Sequence, residues 1–269
     1  MKRRFIDLSL ELKPGLGQLP PNPDPALVKL LEFLSPKINY TDHRASVPQM
    51  LHSFPGITQA DLPDGLGWSE ETVTANTHAG THFDAPYHYA PTAGGAPARP
   101  LDQNPLAGCF SDGVVLDMRH KEPGAVIGVA DLQAALAKID YTLKPFDIVL
   151  VMTGADKLWD TAAYWTNYAG AGRDATIWLA DQGVKIVGTD APGWDRPFNY
   201  AAAEFRQTGN RSVIWEGHYA GREREYCQLE KLTNLDQLPP YGFTIACFPI
   251  KVLNAGASWV RPVAMIDEV

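Results

Sequence analysis

The apolar positions of this chain change period several times, and each change predicts an element. Residues 5–12, Phe-Ile-Asp-Leu-Ser-Leu-Glu-Leu, alternate apolar and polar, which predicts a strand with one solvated face. Residues 13–25 hold Pro14, Pro20, Pro21, Pro23 and Pro25 with Gly15 and Gly17, and read as an irregular loop. Ala26–Leu34 follows as a short helix, with Asp24 and Pro25 as its N-cap and N1 residues. Residues 35–70 are loop-like but carry His43, His52, Phe54 and Trp68. Such a stretch reads either as a lid or pocket wall, or as an arm packed on a neighbouring subunit.

The second half is more regular. Residues 90–107 read as a loop and Gly113–Met118 as a strand. Val129–Ile139 places Leu132, Leu136 and Ile139 on one side of an amphipathic helix. Phe146–Thr153 is a continuous apolar, β-branched run, the pattern of a strand buried on both faces. Residues 160–172 read as irregular. Asp174–Gln182 reads as a helix ended by Gly183, with Val184–Thr189 as the next strand. Val213–Glu216, Phe243–Ile250 and Val260–Ile266 are further strand candidates, and Leu232 and Leu235 would anchor a short helical turn in the core. Interspersed strands and helices predict an α/β fold with a mixed sheet. With no internal repeat or polar linker, 269 residues form one domain, 1–269.

Composition narrows the partners. Hydrophobic residues make up 45% and charged residues 20%, which suits a globular core. The net charge of −8 argues against nucleic acid or an anionic membrane as the main partner. Three widely spaced cysteines, Cys109, Cys227 and Cys247, form no CxxC motif and read as free thiols in a reducing cytoplasm. The basic N-terminus lacks the apolar stretch of a signal peptide, and no run of 18 uncharged apolar residues spans a membrane.

The chemistry concentrates in residues 76–89, Asn-Thr-His-Ala-Gly-Thr-His-Phe-Asp-Ala-Pro-Tyr-His-Tyr, which hold three of the seven histidines. His82, Asp84 and His88 follow His78 at even spacings, and Gly80 and Pro86 disfavour a helix. An extended backbone would therefore project three imidazoles and a carboxylate from one edge. Those donors suit Zn²⁺, Mn²⁺ or Fe²⁺. Downstream lie Glu216, His218, Arg222, Glu223, Arg224, Glu225 and Glu230, of which the Arg-Glu-Arg-Glu run reads as a solvated face. His218, beside a glycine after the 213–216 strand, is a weaker candidate ligand. Phe54, Trp68, Tyr87 and Trp194 are candidate substrate-binding aromatics, although large aromatics are core residues by default.

Residues 78–88, His-Ala-Gly-Thr-His-Phe-Asp-Ala-Pro-Tyr-His, resemble the His-x-Gly-Thr-His-x-Asp-x-Pro-x-His signature of the cyclase family of metal-dependent hydrolases, which includes bacterial kynurenine formamidase and isatin hydrolase. His218, Glu230 and the Glu-x-Leu-x-Asn-Leu segment that Glu230 opens are also similar to the family, as is the Gly-x-Asp turn at Asp190. The resemblance implies a single α/β domain of the swivelling β/β/α type. It implies a homodimer or homotetramer with sites partly lined by a neighbouring subunit. It assigns His78, His82 and Asp84 to a first Zn²⁺ or Mn²⁺, and His218 and Glu230, with Asp84 bridging, to a second. His88 becomes the catalytic acid/base, with Thr81 and Gly80 letting the loop wrap close to the ion. The reaction expected is hydrolysis of a non-peptide C–N bond in an amide, formamide or lactam, on a small and aromatic substrate. A lactone or ester hydrolase, a lyase, and a non-catalytic metal-binding member are the alternatives. No Gly-x-Ser-x-Gly elbow is present to support a serine hydrolase.

Overall fold

The apolar run Ile148–Met152 forms the strand on which the sheet is built. In the computed structural model, which describes residues 2–15 and 25–268, all five of its side chains are buried. Their alternation divides them. Ile148, Leu150 and Met152 enter one core cluster with Ile6, Leu8, Phe83 and Leu229. Val149 and Val151 enter the other with Leu132, Leu136 and Leu179. A strand covered on both faces needs no polar alternation, which is why this one reads as a continuous apolar run.

The strands of three or more residues, in chain order, are β1 (Lys2–Asp7), β2 (Lys37–Thr41), β3 (Glu70–Thr74), β4 (His82–Asp84), β5 (Phe110–Asp117), β6 (Ile148–Met152), β7 (Ile186–Thr189), β8 (Cys227–Glu230), β9 (Phe243–Ala246), β10 (Ala257–Trp259) and β11 (Val263–Glu268). Nine of them form one mixed sheet in the order β1-β11-β9-β5-β6-β7-β8-β4-β10. The central steps β5-β6-β7-β8 are parallel, and the flanks are antiparallel. The helices are α1 (Pro25–Leu34), α2 (Val47–Ser53), α3 (Pro86–Tyr89), α4 (Val129–Lys138), α5 (Arg173–Asp181), α6 (Phe198–Thr208) and α7 (Glu216–Tyr219). α4 and α5 lay Leu132, Leu136, Ala175 and Leu179 on the second core cluster. Among the described residues no helix is long and apolar enough to cross a membrane.

This is the α/β class with the mixed sheet expected from the sequence. The local readings at 26–34, 129–139 and 174–182 correspond to α1, α4 and α5 within one or two residues. Asp24, read as the N-cap of α1, lies outside the described residues.

Other segments differ. Residues 35–70 are not a continuous loop, because β2 pairs antiparallel with β3 and α2 lies between them. Two exposed strands with little apolar alternation carry no clear period-two signal. Residues 213–216 form no strand. Trp215 takes a left-handed conformation, φ +53°, and Glu216 opens α7. Of the candidate strand 260–266 only residues 263–266 are strand, in β11, with β10 ending just before it at Trp259, and the one read over 243–250 ends at Ala246.

Asp190 joins the C-terminal ends of two parallel strands. Its buried carboxylate accepts from the Thr153 amide at 2.8 Å, the Thr153 hydroxyl at 2.6 Å and the Gly154 amide at 2.7 Å. Burial pushes its pKa up to about 6, against those three donors. Asp190→Ala leaves three donors without their acceptor and is expected to cost about 2–3 kcal/mol. Urea denaturation checks this, and a wild-type midpoint would show that Asp190 does not tie the strands.

Candidate metal centre

Two short strands bring the polar groups together. β4 pairs antiparallel with β8, with His82 opposite Glu230, Phe83 opposite Leu229 and Asp84 opposite Gln228. Period-two alternation turns Phe83 and Leu229 into the core. It leaves His82, Asp84, Gln228 and Glu230 together on the other face, all buried. Cross-strand neighbours on one face lie about 4.5–5.5 Å apart, close enough for their side chains to converge.

His78 reaches this face from the turn before β4. Gly80 takes φ +62°, a conformation glycine adopts without penalty. Asn76 Oδ1 accepts from the His78 amide and faces His78 Nδ1, both at 2.9 Å. His82 Nδ1 donates to the Gly80 carbonyl at 2.9 Å. Each neutral ring is thereby left with its lone pair on Nε2. Both Nε2 atoms lie 3.4 Å from Asp84 Oδ1, and His82 Nε2 lies 3.3 Å from Glu230 Oε2. His82 Nε2 and Asp84 Oδ1 are buried and have no hydrogen-bond partner. Donor atoms of His78, His82 and Asp84 lie within 4.8 Å of one another, as do those of Asp84, His88 and His218. Buried lone pairs converging on one point fit a divalent cation.

The even-spacing argument holds for His82 and Asp84 but not for the whole stretch. Only residues 82–84 are a strand, and Pro86 starts α3 as its first helical residue. His88 therefore arrives on a helical turn, its Nδ1 3.1 Å from His78 Nε2. His218 likewise sits on α7 rather than at a strand edge. Its Nδ1 faces Asp195 Oδ2, its amide donates to the same carboxylate, and its Nε2 lies 3.3 Å from Glu230 Oε1. Thr81 has a structural role, accepting from the Leu10 amide and donating to the Lys231 carbonyl.

The electrostatics separate the histidines. Burial outweighs the Asp84 carboxylate and lowers His78 to about 4. Burial also lowers His88, again against the pull of Asp84. At His218 burial is overcome by Asp195 and Glu230, which raise it to about 10. At His82 burial and Lys231 oppose the charged form, but Asp84 and Glu230 prevail and the pKa rises. Despite their burial, Asp84 and Glu230 are held below the usual carboxylate range by these imidazoles. The two acids stay ionised, and a bound cation would take the place of the protons that His82 and His218 carry beside them.

Four further residues, not singled out in the sequence, also shape the site. Gln228 Nε2 lies 3.2 Å from Asp84 Oδ2 and 3.1 Å from Glu230 Oε1. Asp195 orients His218. Trp215 stacks on His218, ring centroids 4.2 Å apart, and meets the His88 ring edge-on. Lys231, buried and at φ +58°, donates its ammonium to the His78 carbonyl at 2.8 Å. For Gln228, the i−2 position before Glu230 on one strand was the available clue.

A cavity of about 780 Å³ opens from this face, bordered by His78, His88, His218 and Glu230. Phe54, Trp68 and Tyr87 do not line it and are exposed on the surface. Trp194 does not line it either. Its ring is buried in the core, its Nε1 donates to Thr176, and only its backbone amide serves the site, donating to Glu230 Oε1 at 2.9 Å. The aromatic wall is built instead from Trp165, Tyr168, Phe198 and Trp215.

Residues 6–196 match the Cyclase family model, described as "Putative cyclase". Kynurenine formamidase of Erythrobacter litoralis (strain HTCC2594) is 28% identical over 194 residues, covering 71% of this chain and 74% of that enzyme. Isatin hydrolase A from Ralstonia solanacearum shares the fold, with a TM-score of 0.72 at 23% identity over 98% of this chain and 92% of that one. An isatin hydrolase bound to the product analogue thioisatinate does so at 18% identity, TM-score 0.72, over 99% and 93%.

Asn76 orients His78, so Asn76→Ala is expected to weaken divalent-ion binding by about 10–100-fold. Competition against a chromogenic chelator measures this. Unchanged affinity would mean that His78 needs no orientation from Asn76.

Proposed function

Because this chain belongs to the cyclase family of metal-dependent hydrolases, we propose that it hydrolyses a non-peptide C–N bond in an amide, formamide or lactam. The observation that carries the reading is the pair of buried, unpartnered atoms His82 Nε2 and Asp84 Oδ1, which face each other where His78 Nε2 also points. We assign His78, His82 and Asp84 to a first ion. His218 and Glu230, with Asp84 between, go to a second where one binds. Zn²⁺ and Mn²⁺ both suit this set of nitrogen and oxygen donors. When bound, a divalent ion lowers the pKa of water from 15.7 toward about 7 and polarises a carbonyl oxygen.

The chain's own side chains do the remaining work. His88 borders the cavity, and its lowered pKa keeps the imidazole neutral at pH 7. It can therefore accept a proton from water and deliver it to the leaving nitrogen. Trp215 holds the His88 ring from the side, and Trp165 and Tyr168 exclude water from the wall. The apolar, aromatic lining suits an aromatic acyl or amine portion. Free, buried Cys109, Cys227 and Cys247 support a reducing, cytoplasmic setting. A homodimer or homotetramer is part of the proposal, supported by the exposed apolar side chains Phe248, Ile250 and Leu253.

The enzyme is expected to turn over at least one of N-formylkynurenine, isatin and simple cyclic imides. A metal-replete protein active only on lactones or esters would overturn the C–N assignment. His88→Ala should keep its metal and lose about 10²–10⁴ in kcat. Loss of metal in that variant would instead make His88 a ligand with Asp84 and His218. If His88 acts as the base, the acid limb of kcat/KM lies below its ordinary pKa of about 6.5.

A further inference from the structure

Gln228 stands in the middle of the metal-binding face, and the proposed reaction gives it no role. It lies opposite Asp84 in the β4–β8 pairing and two residues before Glu230, so all three side chains leave the same face of the sheet. It is fully buried. Its Nε2 lies 3.2 Å from Asp84 Oδ2 and 3.1 Å from Glu230 Oε1, and it also meets His218 Nε2. On the far side the Tyr226 hydroxyl reaches Oε1 at 3.3 Å. Ionised carboxylates only accept hydrogen bonds, so the NH₂ end of the amide faces the two acids and offers one hydrogen to each.

The three groups that Nε2 touches are the same three assigned above to a second ion. Two sets of donor atoms converge within 4.8 Å among the described residues, and Glu230 belongs to neither. A shared ion would draw Asp84 and Glu230 together, because nitrogen and oxygen ligands sit only about 2.0–2.2 Å from Zn²⁺. The amide instead stands between them at hydrogen-bonding distance. It has no exit, since its strand is flanked by β7 and β4 and its side chain is sealed from solvent.

Charge points the same way. Asp84 and Glu230 bring two negative charges to the face, and one divalent ion neutralises both. The ammonium of Lys231, buried beside Glu230 and bonded to the His78 carbonyl, already adds a positive charge. A second divalent ion would leave the buried cluster with an excess of positive charge even with Asp195 included, and uncompensated charge is strongly unfavourable away from water.

We propose that this chain holds a single divalent ion, on His78, His82 and Asp84, and that the Gln228 amide takes the place of a second ion between Asp84 and Glu230. This rests on the metal assignment above and narrows it. The amide donates to both acids, as a cation would attract both, but adds no charge. Gln228 is thus a positioning residue that touches no reacting atom. It leaves His88 and His218 facing the cavity as imidazoles free of metal.

The test is the ion content of the folded holoenzyme. Wild-type protein dialysed against buffered Zn²⁺ should carry about one ion per chain by plasma mass spectrometry. Gln228→Ala empties the position and Gln228→Glu furnishes it with a carboxylate, so both should carry about two. Mn²⁺ supplies an independent readout. One equivalent should give the wild type the paramagnetic resonance sextet of an isolated bound ion, with a second equivalent remaining in solution. In Gln228→Glu the second equivalent should bind and couple to the first, as ions about 3.5–4 Å apart do. Two ions per wild-type chain, or a coupled spectrum from it, would overturn the proposal without need of any variant. One ion in the wild type and in both folded variants would overturn the role given to Gln228. No ion in the wild type would remove the metal assignment itself, a result distinct from the other two.

Discussion

The site depends on the pairing of β4 with β8. In that register four polar side chains share one buried face and two apolar ones fill the core behind them. A shift of one residue would exchange the faces, sending His82 and Asp84 into the core and Phe83 into the cavity. The core therefore enforces the site, because Phe83 and Leu229 cannot leave it without losing their burial. The reverse also holds. Two carboxylates and two imidazoles packed against each other are costly to bury unless something satisfies them. A cation at their centre, or protons on the imidazoles, supplies that. The raised pKa of His82 and His218 reflects the second possibility.

The residues of the site were legible to different depths. His82 and Asp84 follow from alternation, since a strand carries them. His88 has the same parity, but Pro86 begins a helical turn that delivers it by another route. Its position on the correct side was anticipated for a reason that does not operate. Glu230 and His218 were visible only through resemblance to a family, because nothing in a local window says that residue 230 will pair with residue 82. Gln228 was missed for the same cause, although alternation from Glu230 would have found it once β8 was recognised.

The fold shows the same division. Elements with strong local periods, such as the strand at 148–152 and the helix at 129–138, could be read directly. β2, β3 and the turn at Trp215 could not. β2 and β3 are exposed strands held by each other. Trp215 takes a conformation that bulky residues rarely adopt, and it packs there against His218, His88 and Tyr219. The cavity wall was misplaced because aromatic content does not reveal which rings face a cavity. Trp194 is as apolar as Trp215, but its ring is sequestered by Thr176 and the second core cluster.

β4 is only three residues long and lies between β8 and β10, both far along the chain. Asp84 and Gln228 are 144 positions apart. Contacts of such separation close late in folding, because the intervening loop must first lose its entropy. During synthesis the His-rich segment emerges long before its partners exist, so the nascent chain holds an incomplete set of ligands. The complete candidate site exists only once the sheet, the turn at His78 and the helices α3 and α7 are assembled. An ion that binds it stabilises the native state without stabilising the chain that precedes it. The pairing of β4 with β8 thus also marks the point in folding at which the protein becomes able to retain a metal.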